Sequence, residues 1–136
     1  MANKRNGKQT IRLHNPPSIA ATASIVGPKE GQGPLRVYFD NIIDDELWGE
    51  KSWEKAESKL MRETFGKLVT KSGKSSKEIE YIIAGDLLNQ CIAATYGLRE
   101  AGIPFFGVYG ACSTMSESMS LGAMLIDGGY ADNVAC

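Results

Sequence analysis

Between Tyr81 and Cys136, short apolar runs alternate with stretches of helical spacing, and this alternation constrains the fold more than any other feature of the chain. Tyr81-Ile82-Ile83-Ala84 has the length and composition of a buried strand and stops at Gly85-Asp86. Leu87 to Ala101 has helical spacing halted by Gly102 and Pro104, and Phe105 to Tyr109 reads as a second apolar strand. From about Ser113 to Asp127 the spacing is helical again, Gly128-Gly129 ends it, and Asn133 to Cys136 reads as the opening of another strand. Such alternation predicts an α/β fold: a parallel-rich sheet with right-handed crossovers and helices on both faces, taking ligands at the carboxyl ends of its strands. Asp86 and Cys112 lie just beyond two such ends.

The earlier part of the chain fits one domain, which is all that 136 residues allow. Every charge from Met1 to Arg12 is positive, so residues 1–17 are expected to be a solvated, mobile basic tail and residues 18–136 the folded part. Ile19 to Val26 reads as a buried strand ending at Gly27-Pro28. Asp44-Asp45-Glu46 suits the acidic opening of a helical turn. Ser52 is placed to cap a long amphipathic surface helix that puts Trp53 in the core and ends at Gly73. Ser75 to Glu78 has capping-box spacing. The helix after Cys112 carries Glu117 as its lone mid-helix charge, so it is expected to be covered on both sides and central. Because the sequence stops in an apparent strand, the domain is expected to be partial, truncated within a first half.

Composition removes several functions. A net charge of −1 gives no basic field for phosphates, so nucleic acid is not an expected partner. The Gly31-Gly33-Pro34 loop fits neither glycine-rich nucleotide motif. No apolar run is long enough to span a membrane, and the polar start lacks a secretory core, which gives an expectation of a cytoplasmic chain. Cys91, Cys112 and Cys136 are odd in number and lack a C-x-x-C pair, arguing against a disulfide framework or zinc. One histidine, His14, cannot serve chemistry that needs two, and no metal or cofactor is expected.

Two positions can carry chemistry. Gly110-Ala111-Cys112-Ser113-Thr114 puts a cysteine in a strand-to-helix turn, where helix-end amides favour a thiolate, although Thr114 replaces the second glycine of a nucleophile elbow. Cys112 is therefore a nucleophile, a ligand contact or a small apolar filler. Asp86 can cap the following helix or face a ligand. Asn89 and Gln90 extend a polar site or reach solvent, and Cys91 belongs to an apolar helix face.

Taken together, Ile25-Val26-Gly27-Pro28-Lys29-Glu30, Ala84-Gly85-Asp86-Leu87-Leu88-Asn89-Gln90, Gly110-Ala111-Cys112-Ser113-Thr114 and Ile126-Asp127-Gly128-Gly129 resemble the stage V sporulation protein AD family from about Gly7 to Cys136. The resemblance implies a thiolase-like fold of two related α/β halves and a role in moving dipicolinic acid into the developing spore. It implies a cysteine of the thiolase type at Cys112 and a pocket for pyridine-2,6-dicarboxylate at Asp86 and Cys112. Ser113 is added for its hydroxyl beside that cysteine. The implied partners are dipicolinic acid, alone or as its calcium chelate, and other membrane-associated stage V sporulation proteins. A homo-oligomer is implied at full length, peripheral to the cytoplasmic face of the spore or forespore inner membrane. The half that carries the thiolase-type histidine lies outside this sequence, so the chain is not expected to be an enzyme.

Three functions follow: a dipicolinate-binding component, a cysteine-dependent acyl transferase of the thiolase or ketoacyl synthase type, and a structural interaction subunit.

Overall fold

Ser52 holds an extended backbone and its hydroxyl accepts from the Lys55 amide, which starts α1, Trp53–Ser72. Gly73 ends this helix in the left-handed conformation expected of a C-terminal glycine. The computed structural model describes residues 3–136, the side chain of Asn89 excepted. The capping box between Ser75 and Glu78 then turns the chain into β5, Tyr81–Ala84.

β5 is the central strand of a parallel sheet, flanked by β6, Phe105–Gly107, and β7, Val134–Ala135. Ile82 stands opposite Phe105 on one side and Ala135 on the other. Successive side chains on a strand point to opposite faces. One face carries Ile82 and Ala135 into a core with Ile79 and Leu98, closed by Met61, Phe65 and Leu68 of α1. Leu98 ends α2, Ile92–Leu98, whose Gly97 lets it approach α1 closely; a β-carbon there would stand 2.5 Å from the Ser58 carbonyl oxygen. Val134, on the opposite face, lies against Gly122 of α3, Thr114–Asp127. The mixed α/β architecture, the parallel sheet and the helices on both its faces agree with the sequence pattern.

Other elements depart from it. The run Ile19 to Val26 forms a strand only at β3, Ile25–Val26, which pairs in parallel with β4, Asn41–Ile42, and Ile19 is 70% exposed. A strand needs a partner for its backbone as well as apolar side chains, and residues 19–23 have none among the described residues. The basic segment is not a free tail: β1, Arg5–Asn6, and β2, Thr10–Ile11, form an antiparallel hairpin, and Lys4 pairs with buried Asp127 at 2.7 Å. Trp53 is 54% exposed rather than in the core, and Ala56 is the residue that the first turn of α1 buries. The helical stretch expected from Leu87 is regular only in α2, since Gln90 and Cys91 both have positive φ. α3 is covered on one side only, with Met115 71% exposed and Met119, Leu121 and Met124 also open to solvent. Asp45 accepts from the Leu47 and Gly49 amides, so the acidic triplet makes a turn as expected.

Candidate functional site

Gly85 follows the last residue of β5, and a β-carbon at this position would collide with the Val108 carbonyl and stand 2.9 Å from the Thr114 methyl. The absence of a side chain therefore lets the end of β5 press against the end of β6 and the start of α3. This contact brings the loops bearing Asp86 and Cys112 together, at the end of the sheet where an open parallel fold takes its ligands.

Asp86 is 5% exposed, and its carboxylate turns inward. One oxygen accepts from the Cys91 amide at 2.9 Å and the other from the Ala94 amide at 2.8 Å. Both amides open α2, where a carboxylate also meets the positive end of the helix dipole. Asp86 thus caps α2, one of the two roles the sequence left open: its two oxygens accept from backbone donors and are buried. Cys91 takes a left-handed conformation to present its amide, and its thiol donates to the Val108 carbonyl at 3.3 Å, tying α2 to β6. Burial first, and then the Asp86 charge, push this thiol above its ordinary pKa. Cys91 is half-buried at the start of α2 rather than within an apolar face. Gln90 is exposed, and the side chain of Asn89 lies outside the described residues.

Cys112 and Ser113 lie on the other side of the contact, in a 3-10 turn, Ala111–Ser113, that leads into α3. Both are exposed. The Ser113 hydroxyl donates to the Gly110 carbonyl at 2.7 Å, and the Gly110 amide donates to the Thr114 hydroxyl at 3.1 Å, so the turn is fixed by its own side chains. Ala111 has φ of 50°, a conformation that costs a residue with a β-carbon about 1–3 kcal/mol. Strain of this kind immediately before Cys112 gives the turn the sharpness of a nucleophile elbow although Thr114 breaks the glycine pattern. Exposure removes the reading of Cys112 as an apolar filler.

Sequence reasoning missed Glu57. It comes from α1, accepts from the Leu87 amide at 3.3 Å, and leaves its second oxygen buried with no close hydrogen-bond partner among the described residues. Burial, reinforced by the nearby Asp86 charge, raises its pKa above the ordinary carboxylate value. In the sequence it is one charge among many on an amphipathic helix, with no local mark to set it apart. Cys136 packs beside α3; its thiol donates to the Ser118 carbonyl at 3.3 Å and is pushed up by burial. His14 is near Asp127 at the far end of α3, so the length of that 14-residue helix, about 20 Å at 1.5 Å per residue, separates it from the Cys112 turn. Among the described residues no group of three or more His, Cys, Asp or Glu side chains is arranged to hold a metal ion. No helix among them is long and apolar enough to cross a membrane.

The family model for stage V sporulation protein AD matches residues 7–136. Stage V sporulation protein AD of Bacillus subtilis (strain 168) is 39% identical over 128 residues, which cover 94% of this chain and 38% of that relative. The chain therefore spans well under half the length of the curated relative it matches.

Proposed function

Because the chain belongs to the stage V sporulation protein AD family, we propose that it contributes to a binding site for dipicolinic acid, used in loading the developing spore. The observation that carries this reading is the exposed, self-braced turn at Cys112 and Ser113, set at the carboxyl end of a parallel sheet. A flat dicarboxylate suits such a place. One carboxylate can take hydroxyl and helix-start amide donors, while the ring lies against the sulfur and the strained Ala111 backbone.

The inward carboxylate of Asp86 gives that residue a supporting role. It fixes the start of α2, and through the Cys91 thiol it fixes the end of β6 that carries the turn. A calcium ion arriving with the ligand would be held by the ligand's own oxygens and nitrogen rather than by Asp86. In this reading the chain is a binding component of a thiolase-like scaffold, not an enzyme. It works peripherally at the spore or forespore inner membrane with other stage V sporulation proteins, as a homo-oligomer at full length.

Calorimetric titration of dipicolinate into the protein tests the reading. Saturable binding is expected, with loss in Cys112→Trp because an indole fills the space over the turn. Equal binding by both proteins would remove the ligand from this site. The left-handed Ala111 favours acyl transfer as a second reading, in which the Cys112 sulfur attacks a thioester carbonyl and expels the donor thiolate, leaving an acyl-cysteine. Mass spectrometry after incubation with an acyl thioester distinguishes the two, since only the second adds mass at Cys112.

A further inference from the structure

An apolar groove of about 570 Å³ is lined by residues of α1, of α3 and of the sheet at its β7 edge, where β7 pairs with Tyr81 and Ile82 of β5. Every residue from Pro16 to Ala23 lines it. This segment has no regular secondary structure, takes no ladder hydrogen bonds among the described residues, and leaves Ile19 largely exposed. Ile19 and Thr22 would suit a paired strand, yet the segment lines the groove with no ladder partner among the described residues.

What holds it lies at its two ends, and the two ends are built alike. At the start, Asp127 accepts from the His14 amide at 2.8 Å and the Asn15 amide at 2.6 Å while pairing with Lys4 at 2.7 Å. At the finish, Asp40 accepts from the Ser24 amide at 2.9 Å while pairing with Lys71 at 2.6 Å. Each carboxylate thus grips backbone amides immediately outside the segment and is itself held by a lysine; at the finish the Asn41 amide also donates to the Ser24 carbonyl at 3.2 Å. Asp127 sits at the carboxyl end of α3, where the helix dipole disfavours an anion, so helix stability does not account for its presence.

We propose that residues 16–23 are a strap gating the apolar groove, held shut by the carboxylate clamps of Asp127 and Asp40. A segment with charge-assisted bonds at its ends and no backbone bonds between opens as a unit when one clamp fails, without unfolding the sheet. The Lys4 cation keeps Asp127 ionised and competent to grip.

The test uses the whole chain and two variants of one clamp, Lys4→Met and Asp127→Asn. Elastase cuts after alanine, and Ala20, Ala21 and Ala23 lie in the strap. Each variant is expected to speed cleavage within residues 16–23 about tenfold, as follows when loss of a charge-assisted bond raises the open population. Binding of a fluorescent apolar dye should rise in parallel, and the Ile82 amide, bonded to the Pro104 carbonyl, should keep its protection from hydrogen exchange. Unchanged cleavage in both variants would overturn the proposal. So would loss of Ile82 protection in step with cleavage in Lys4→Met, whose partly exposed side chain leaves no core cavity, since the whole fold would then be opening.

Discussion

Gly85 and Thr114 meet so closely that a β-carbon on the glycine would stand 2.9 Å from the threonine methyl, while also striking the Val108 carbonyl. The contact joins the strand end that carries Asp86 to the turn that carries Cys112, and it does so through what one residue lacks.

Gly85→Ala should therefore destabilise the chain by about 1–3 kcal/mol, toward the upper end because one of the colliding atoms is backbone and cannot rotate away. A lower urea midpoint with an unchanged slope is the expected result. A midpoint equal to the parent would mean that the two loops are not pressed together.

Asp86→Ala strips the acceptor from two amides at the start of α2, and a loss of about 1–3 kcal/mol is expected. Asp86→Asn should cost less, because the amide oxygen still accepts one of the two bonds. In either variant any loss of dipicolinate affinity should be the same with and without calcium; a loss confined to calcium-containing buffer would place Asp86 on the ion.

Limited iodoacetamide treatment followed by peptide mapping should find Cys112 alkylated before the other two thiols. Cys112 and Cys136 are both exposed and Cys91 is half-buried, but the Cys91 and Cys136 thiols each donate to a carbonyl and have their pKa raised by burial of the sulfur. Faster labelling of Cys91 would contradict the geometry of the α2 start.

Glu57→Gln should stabilise the chain near neutral pH. The folded state raises this carboxyl's pKa, so its ionisation opposes folding once the pH passes above the unfolded value of 4.5. The penalty is complete above the raised folded value and absent in acid. Thermal melts should show a gain at pH 7 that vanishes below the ordinary carboxylate range; a gain that persists there would assign the effect to packing.

Asp40 and Asp127 run the other way. Their folded pKa values lie below 3.8, chiefly through the hydrogen bonds from Lys71 and Lys4, so their contribution is full above the unfolded value and fades as the pH falls through the folded ones. Acid melts of Asp40→Asn and Asp127→Asn should be flatter against pH than those of the parent between neutrality and that range. Parallel curves would detach both clamps from stability.

What the sequence made legible was local. Ser52, Gly73 and the Ser75–Glu78 box act within one turn of chain, and each is found where its residue type predicts. β5 and β7 were legible because a short apolar run that stops at Gly85, and another that follows the Gly128-Gly129 break, leave few alternatives. The run Ile19–Ser24 misled because its side chains suit a strand while its pairing depends on distant backbone. At the site, Cys112 and Ser113 stand exposed in their expected turn, but whether Asp86 faced inward or outward depended on where α2 began. The left-handed Gln90 and Cys91 set that start, and neither residue type signals it.

Lys4 and Asp127 are separated by 123 positions, which orders events during synthesis. A ribosome adding about 5–20 residues per second delivers the lysine first and its carboxylate roughly 6–25 s later. Throughout that interval the amino-terminal hairpin has no anchor, and the segment behind it is free to pair with whatever strand edge comes near. In a cell, the hairpin can dock only once α3 has emerged, and a chaperone holding it until then would be protecting a part that has to wait.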